Sequence, residues 1–150
     1  MRAAERRSRF CQADAVRLLL ILSEVGHAAT ESDPENATKV IDSQIAFLAR
    51  DFWVRYPDYL ADELIDMAIA NGEVEHLEQA ERLLDDPTID FDWLPMVRWK
   101  NGAYWWMTDA IAILVSNRLI EYLPKFSTKG VAQHRYSQTQ TGEAFIHSKL

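Results

Sequence analysis

The stretch Met107–Gln140, MTDAIAILVSNRLIEYLPKFSTKGVAQHRYSQTQ, decides how the chain is read. Its first part is apolar at Ile111, Leu114 and Val115, one face of a helix, and predicts a helix over 107–117. LIEYLPKF and VAQHRYSQTQ then flank STKG, a turn containing a glycine, and predict an antiparallel hairpin. Thr141–Ser148 predicts a short closing helix. A helix running straight into a β-hairpin is the winged-helix arrangement, a variant of helix-turn-helix. Small hairpins are not stable alone and need helices to pack on.

Working outward, PMVRWKNGAYWW is short, aromatic and centred on Asn101-Gly102, which predicts another hairpin or tight turn. Upstream the pattern is helical. A helix over 12–25 is apolar at Val16, Leu19, Leu20 and Val25 and stops at Gly26. HAATESDPEN reads as a polar loop. Asp33-Pro34 offers an N-cap and a first helical residue, and Ile41, Ile45, Leu48 and Phe52 recur at helical steps. This predicts a helix over 34–55 with those four residues inward. The residue before Pro57 is pushed out of helical geometry, so a third helix begins near Asp58 and closes at Asn71-Gly72. A polar fourth helix spans 73–84. The fold expected is mainly α with small β: N-terminal helices packed on a C-terminal winged-helix unit with a β-hairpin wing. Its parts are a weakly ordered basic arm at 1–11, a helical subdomain at 12–92 and a winged-helix subdomain at 93–150, sharing one core.

The chain has 150 residues, 48% hydrophobic and 26% charged, ordinary values for a globular protein. Cys11 is the only cysteine, so no internal disulfide can form. Nothing reads as a signal peptide, and no apolar run reaches the roughly 18 residues of a membrane span. A cytoplasmic protein without membrane association is expected. The net charge of −7 is unevenly spread. Residues 1–50 carry 7 basic and 7 acidic groups, residues 51–92 carry 2 and 13, and residues 93–150 carry 7 and 3. The middle third repels nucleic acid, whereas the last third tolerates it or docks on an acidic surface.

No catalytic constellation stands out. There is no phosphate-binding glycine loop and no G-x-S-x-G, and His27, His76, His134 and His147 never take metal-ligand spacing. Asp85, Asp86, Asp90 and Asp92 are enough carboxylates for a metal-dependent enzyme to be considered, but a solvated acidic loop accounts for them better. No metal, cofactor or catalytic residue is expected. For nucleic acid, the candidates are Arg98, Lys100, Arg118, Lys125, Lys129 and Arg135, with Lys125 and Lys129 beside the wing tip. Against them, the helix at the place of a recognition helix holds no Lys or Arg, whereas base readout and phosphate attraction need such groups.

Taken in order, AVRLLLILSEVG, FWVRYPDYL, MVRWKNGAYW, AILVSNRLIEYL and HRYSQTQTGEAF resemble the middle-component subunits of bacterial three-component ABC systems. Those systems pair an SMC-like ATPase with an effector and a small middle protein, and include Lamassu-type antiphage defence. The resemblance spans about residues 12–147, and Arg55-Tyr56-Pro57 and the C-terminal winged pattern carry it. Arg50 and Trp53 stand beside Asp51-Phe52 where the family commonly has leucine, and Asn101-Gly102-Ala103-Tyr104 stands where it often has Gly-Pro-Trp-Asp. The resemblance implies a non-catalytic adaptor that links the ATPase to a nuclease-type effector and meets DNA through the complex. Aromatic residues and arginine are the usual anchors of protein interfaces. The candidate partner contacts are therefore Phe47, Trp53, Arg55, Tyr56, Tyr59, Trp99, Tyr104 and Trp105. Arg55-Tyr56-Pro57 also fixes the bend between two helices, with Tyr56 and Tyr59 sealing it. The alternative is a winged-helix DNA-binding transcriptional regulator.

Overall fold

The computed structural model of the chain describes residues 2–88, 107–126 and 132–149, with the side chains of 2–10, 125–126 and 132–133 excepted. In chain order the elements are α1 (Arg2–Val25), β1 (His27–Ala28), β2 (Ala37–Ile41), α2 (Gln44–Arg55), α3 (Pro57–Asn71), α4 (Val74–Asp85), α5 (Met107–Ser116), β3 (Ile120–Phe126), β4 (Ala132–Thr139) and α6 (Gln140–Lys149). The described residues are mainly helical, with a small four-stranded antiparallel sheet. The chain divides into two compact units, 1–49 with 104–150 and 50–103.

In the first unit the sheet order is β1-β2-β4-β3. β4 is therefore internal, and Arg135, Tyr136, Ser137, Gln138 and Thr139 are all buried. Residues directly opposite each other in antiparallel strands share a face. Ile41, Tyr136 and Tyr122 are aligned across three strands, as are Val40, Ser137 and Glu121. Ile41, Tyr136 and Ile120 join a core completed by Leu18, Leu19 and Leu22 of α1, Phe47 and Leu48 of α2, and Ala110 and Leu114 of α5. Leu18 and Leu22 stand four apart, so one stripe of α1 turns inward. The helix closes where the Gly26 N–H bonds the Leu22 carbonyl at 3.0 Å.

β4 passes directly into α6 because Thr139 is its N-cap. The Thr139 hydroxyl accepts from the Gly142 N–H at 3.0 Å and donates to the Arg118 carbonyl at 2.7 Å. Gly142 is required by close approach, since a Cβ there would sit 2.2 Å from the Leu119 carbonyl oxygen. Gly142→Ala is expected to lower unfolding free energy by about 2–3 kcal/mol, as overpacking does. Urea titration measures it, and a change near zero would mean that α6 docks more loosely than this.

The predicted helix over 34–55 is two elements. Ala37–Ile41 is a strand, and the helix begins only at Gln44. Thr38, Val40 and Ile41 are β-branched and suit a pleated surface, and β4 offers them an edge. The change reverses part of the expected core. Ile45 is 73% exposed, whereas Phe47 is fully buried. The polar loop over 27–36 includes β1, paired with β2 through His27 and Ala28. The basic arm enters α1, which starts at Arg2, and its Ala3-Ala4-Glu5-Arg6-Arg7 run is made of strong helix formers. The other expected elements are present: α3, α4, α5, the β3–β4 hairpin and α6. The hairpin expected at Asn101-Gly102 lies outside the described residues.

In the second unit, Pro57 occupies the start of α3, and α3 ends at Gly72 with φ 71°, its N–H bonding the Ala68 carbonyl at 2.8 Å. The α3–α4 hairpin buries small residues: Ala61 and Ala68 on α3, Ala80 on α4. Met67, Ile69, Val74, Leu77 and Leu84 stay exposed.

Candidate functional site

The described residues hold three groupings of side chains that could form a site. The first ties the β1–β2 connection to the sheet. Thr30 and Asp33 form a local turn in which the Thr30 N–H and hydroxyl both donate to Asp33 Oδ2 at 2.8 Å. Asp33 Oδ1 lies 2.8 Å from Arg135 Nη2, and Arg135 Nε lies 2.8 Å from Asp42 Oδ1. Both contacts are close enough for charge pairing but off the N–H axis, so neither counts as a hydrogen bond. Asp42 Oδ2 also faces His27 Nε2 at 2.6 Å, while His27 Nδ1 faces the Ala28 carbonyl at 2.9 Å. Asn36 extends the strap, donating to Glu121 at 3.0 Å.

Both His27 nitrogens meet acceptors. The Ala28 carbonyl and then the Asp42 carboxylate raise the imidazole above its ordinary value, so the doubly protonated ring is favoured. For Asp33, burial pushes the carboxyl up, but the Thr30 N–H, the Thr30 hydroxyl and the Arg135 guanidinium together hold it below the usual range. A raised imidazole adds stability that is complete below its unfolded value, near 6.5, and is lost as pH rises through its folded value. A lowered carboxyl adds stability present above 3.8 and lost as pH falls through its folded value. Stability is thus expected to decline as pH rises above about 6.5, and His27→Gln should flatten that decline. Because His27 is half exposed, solvent screening keeps the effect small. An equal decline in both proteins, followed by thermal melts, would remove His27 as the cause.

The second grouping is the α2–α3 joint. Phe52, Tyr56 and Tyr59 have ring centroids 5.1, 5.3 and 6.4 Å apart, and Arg55 lies over the Tyr56 ring at 5.2 Å. Arg55 Nε also donates to Asp51 Oδ2 at 2.9 Å. Arg55, Tyr56 and Pro57 therefore bend the chain as the sequence suggested. Tyr56 is buried in the joint, and Tyr59 shows a substantial surface.

The third grouping is a groove of about 580 Å³ at the outer strand β3, lined by Val115, Arg118, Glu121, Tyr122 and Leu123 among others. Arg118 is exposed and turns the chain from α5 to β3 with φ 58°. Tyr122 contacts His134 Nδ1 through its hydroxyl and stacks on that ring with centroids 5.6 Å apart. Burial, then the neighbouring Tyr122, pushes the Tyr136 phenol up to about 12, so it stays neutral in the core.

Of the expected site residues, Arg55, Tyr56 and Tyr59 are brought together at the α2–α3 joint. Phe47 packs in the core against Tyr136, with centroids 5.2 Å apart, and has no surface to offer a partner. Trp53 is partly buried on α2. Arg135 is 8% exposed and held between two carboxylates, so it does not present a cation to phosphate. Arg98, Lys100, Lys129, Trp99, Tyr104 and Trp105 lie outside the described residues, as does the Lys125 side chain. Asp86 is engaged locally: the Thr88 hydroxyl and N–H hydrogen-bond its carboxyl and hold it below its ordinary value. Among the described residues, no three of His, Cys, Asp and Glu converge to hold a metal ion, and no helix is long and apolar enough to cross a membrane. Asp90 and Asp92 fall outside those residues.

Sequence reasoning missed His27, Asp33 and Asp42: Arg135, the partner of both carboxylates, lies about 100 residues away, and His27 joins them only through Asp42. The Thr30–Asp33 spacing was the one local signal. It also missed that Met67, Ile69, Val74, Leu77 and Leu84 of α3 and α4 remain in solvent. No protein-family model, curated protein or solved structure matches the chain.

Proposed function

We propose that the chain is a non-catalytic adaptor: the middle component of a bacterial three-component ABC system of the Lamassu type, joining an SMC-like ATPase to its effector. The observation that carries this reading is the set of large apolar side chains left in solvent along the acidic α3–α4 hairpin. Exposed apolar patches on soluble domains are commonly protein-binding surfaces. A winged-helix arrangement for the first unit is part of the proposal. In its support, α5 leads into the β3–β4 hairpin, and a strand from the N-terminal region, β2, pairs with the second hairpin strand.

DNA reading as a transcriptional regulator has less behind it. α5 carries Asp109 and no Lys or Arg, and Arg135 is already paired with two carboxylates. The test is co-expression of the tagged chain with its genomic neighbours, followed by purification and mass spectrometry. Recovery of a large coiled-coil ATPase at fixed stoichiometry is expected. Recovery of the chain alone, as a dimer that shifts its own promoter DNA, would overturn the adaptor reading.

A further inference from the structure

We infer that the tip of the α3–α4 hairpin is a docking surface for a cationic amphipathic helix of a partner protein. The inference rests on the reading of the chain as a protein-binding subunit, but not on the identity of the ATPase. Met67 and Ile69 in the last turns of α3, and Val74 and Leu77 in the first turns of α4, bracket the Asn71-Gly72 turn. All four are exposed, Ile69 at 76% and Val74 at 66%. Leu84 continues the stripe, since Val74, Leu77 and Leu84 fall at i, i+3 and i+10 on one side of α4. The hairpin buries its alanines fully and Leu60, Leu64, Ile65 and Leu83 in part, and leaves these five side chains outside.

Charge selects the occupant. Residues 57–85 hold nine carboxylates and one basic residue, Arg82, for a net charge of −8. Arg82 itself lies 3.8 Å from Glu78. A nucleic acid or an anionic membrane would meet like charge at this tip. So would a second copy of the same hairpin. The complementary surface is apolar and positive. Helices satisfy their own backbone groups along their length, so the tip has no strand edge to extend, and recognition runs through side chains. An amphipathic helix with apolar anchors at i, i+3, i+4 and i+7, flanked by Lys and Arg, fits that requirement.

The probe is a labelled peptide of about 18 residues, five helical turns, built only of Leu and Lys at helical period and titrated with the full chain by fluorescence anisotropy. A Leu/Glu peptide of the same pattern is the control. Binding of the Leu/Lys peptide alone is expected, weakening at least about tenfold as salt rises from about 0.05 to about 0.5 M. The triple variant Ile69→Ser, Val74→Ser, Leu77→Ser should weaken it about tenfold, and the triple variant Glu73→Lys, Glu75→Lys, Glu78→Lys should do the same. The three apolar positions are exposed, so circular dichroism and the unfolding midpoint of the serine set should match the parent. The lysine set also breaks the Glu73–His76 and Glu78–Arg82 pairs, and its circular dichroism checks that it remains folded. Several results would overturn the inference: no peptide binding, equal binding of the Leu/Glu peptide, or binding unchanged in both variant sets. Capture on phosphatidylserine vesicles, or a dimer that Leu77→Ser dissolves, would assign the tip to a membrane or to a second copy instead. If the ATPase co-purifies while the peptide fails, the adaptor reading stands and this assignment falls.

Discussion

Phe47→Ala should lower the unfolding free energy by about 4 kcal/mol, the range for emptying a fully buried phenylalanine site. Phe47 has no exposed surface and packs against the Tyr136 ring at 5.2 Å and 59°. It also belongs to the core shared by α1, α5 and the sheet. The substitution therefore removes transfer free energy, leaves a cavity and breaks an aromatic pair. Two residues away, Ile45 is 73% exposed, and Ile45→Ala should change stability by no more than about 0.5 kcal/mol. Urea titration of the two variants compares them directly. The reverse ranking would mean that Ile45 faces inward and α2 is rotated from the position described.

Arg135→Met should cost about 3 kcal/mol, because it removes the cation from a buried pairing and leaves the Asp33 carboxylate behind. The Asp33 side chain is inaccessible to solvent, whereas Asp42 is more than half exposed. The loss therefore falls chiefly on Asp33. The double variant Arg135→Met with Asp33→Asn should recover part of it, with a coupling of at least about 1 kcal/mol in a double-mutant cycle. Additive losses would show that the two residues do not act on each other. A DNA role for Arg135 makes a different forecast, in which Arg135→Met lowers DNA affinity and leaves folding alone.

The helix boundaries were legible where a residue has a backbone reason to be there. Gly26 ends α1, Pro57 opens α3, and Gly72 in the left-handed region closes it. The β3–β4 hairpin followed from its β-rich flanks around a glycine turn. What failed was Pro34–Ser43. Ile41, Ile45, Leu48 and Phe52 mimic a helical stripe, and only pairing with β4 makes Ala37–Ile41 a strand. That partner is invisible to any local window. The site was less legible than the fold. The helix break at Arg55, Tyr56 and Pro57 was legible because it is local. The His27–Asp42–Arg135–Asp33 strap depends on two segments far apart in the chain. The exposure of Ile69 and Val74 depends on how little the hairpin buries, which periodicity does not reveal.

β2 and the strand it pairs with, β4, are separated by about 100 residues. At translation rates of about 5–20 residues per second, roughly 5–20 s pass between their emergence from the ribosome. During that interval β2 has only the two-residue β1 to pair with, while the α3–α4 hairpin needs no segment beyond its own neighbours. The nascent chain thus has every residue of the acidic hairpin before it has all those of its core, and β4, with α6 behind it, is the latch that closes the first unit.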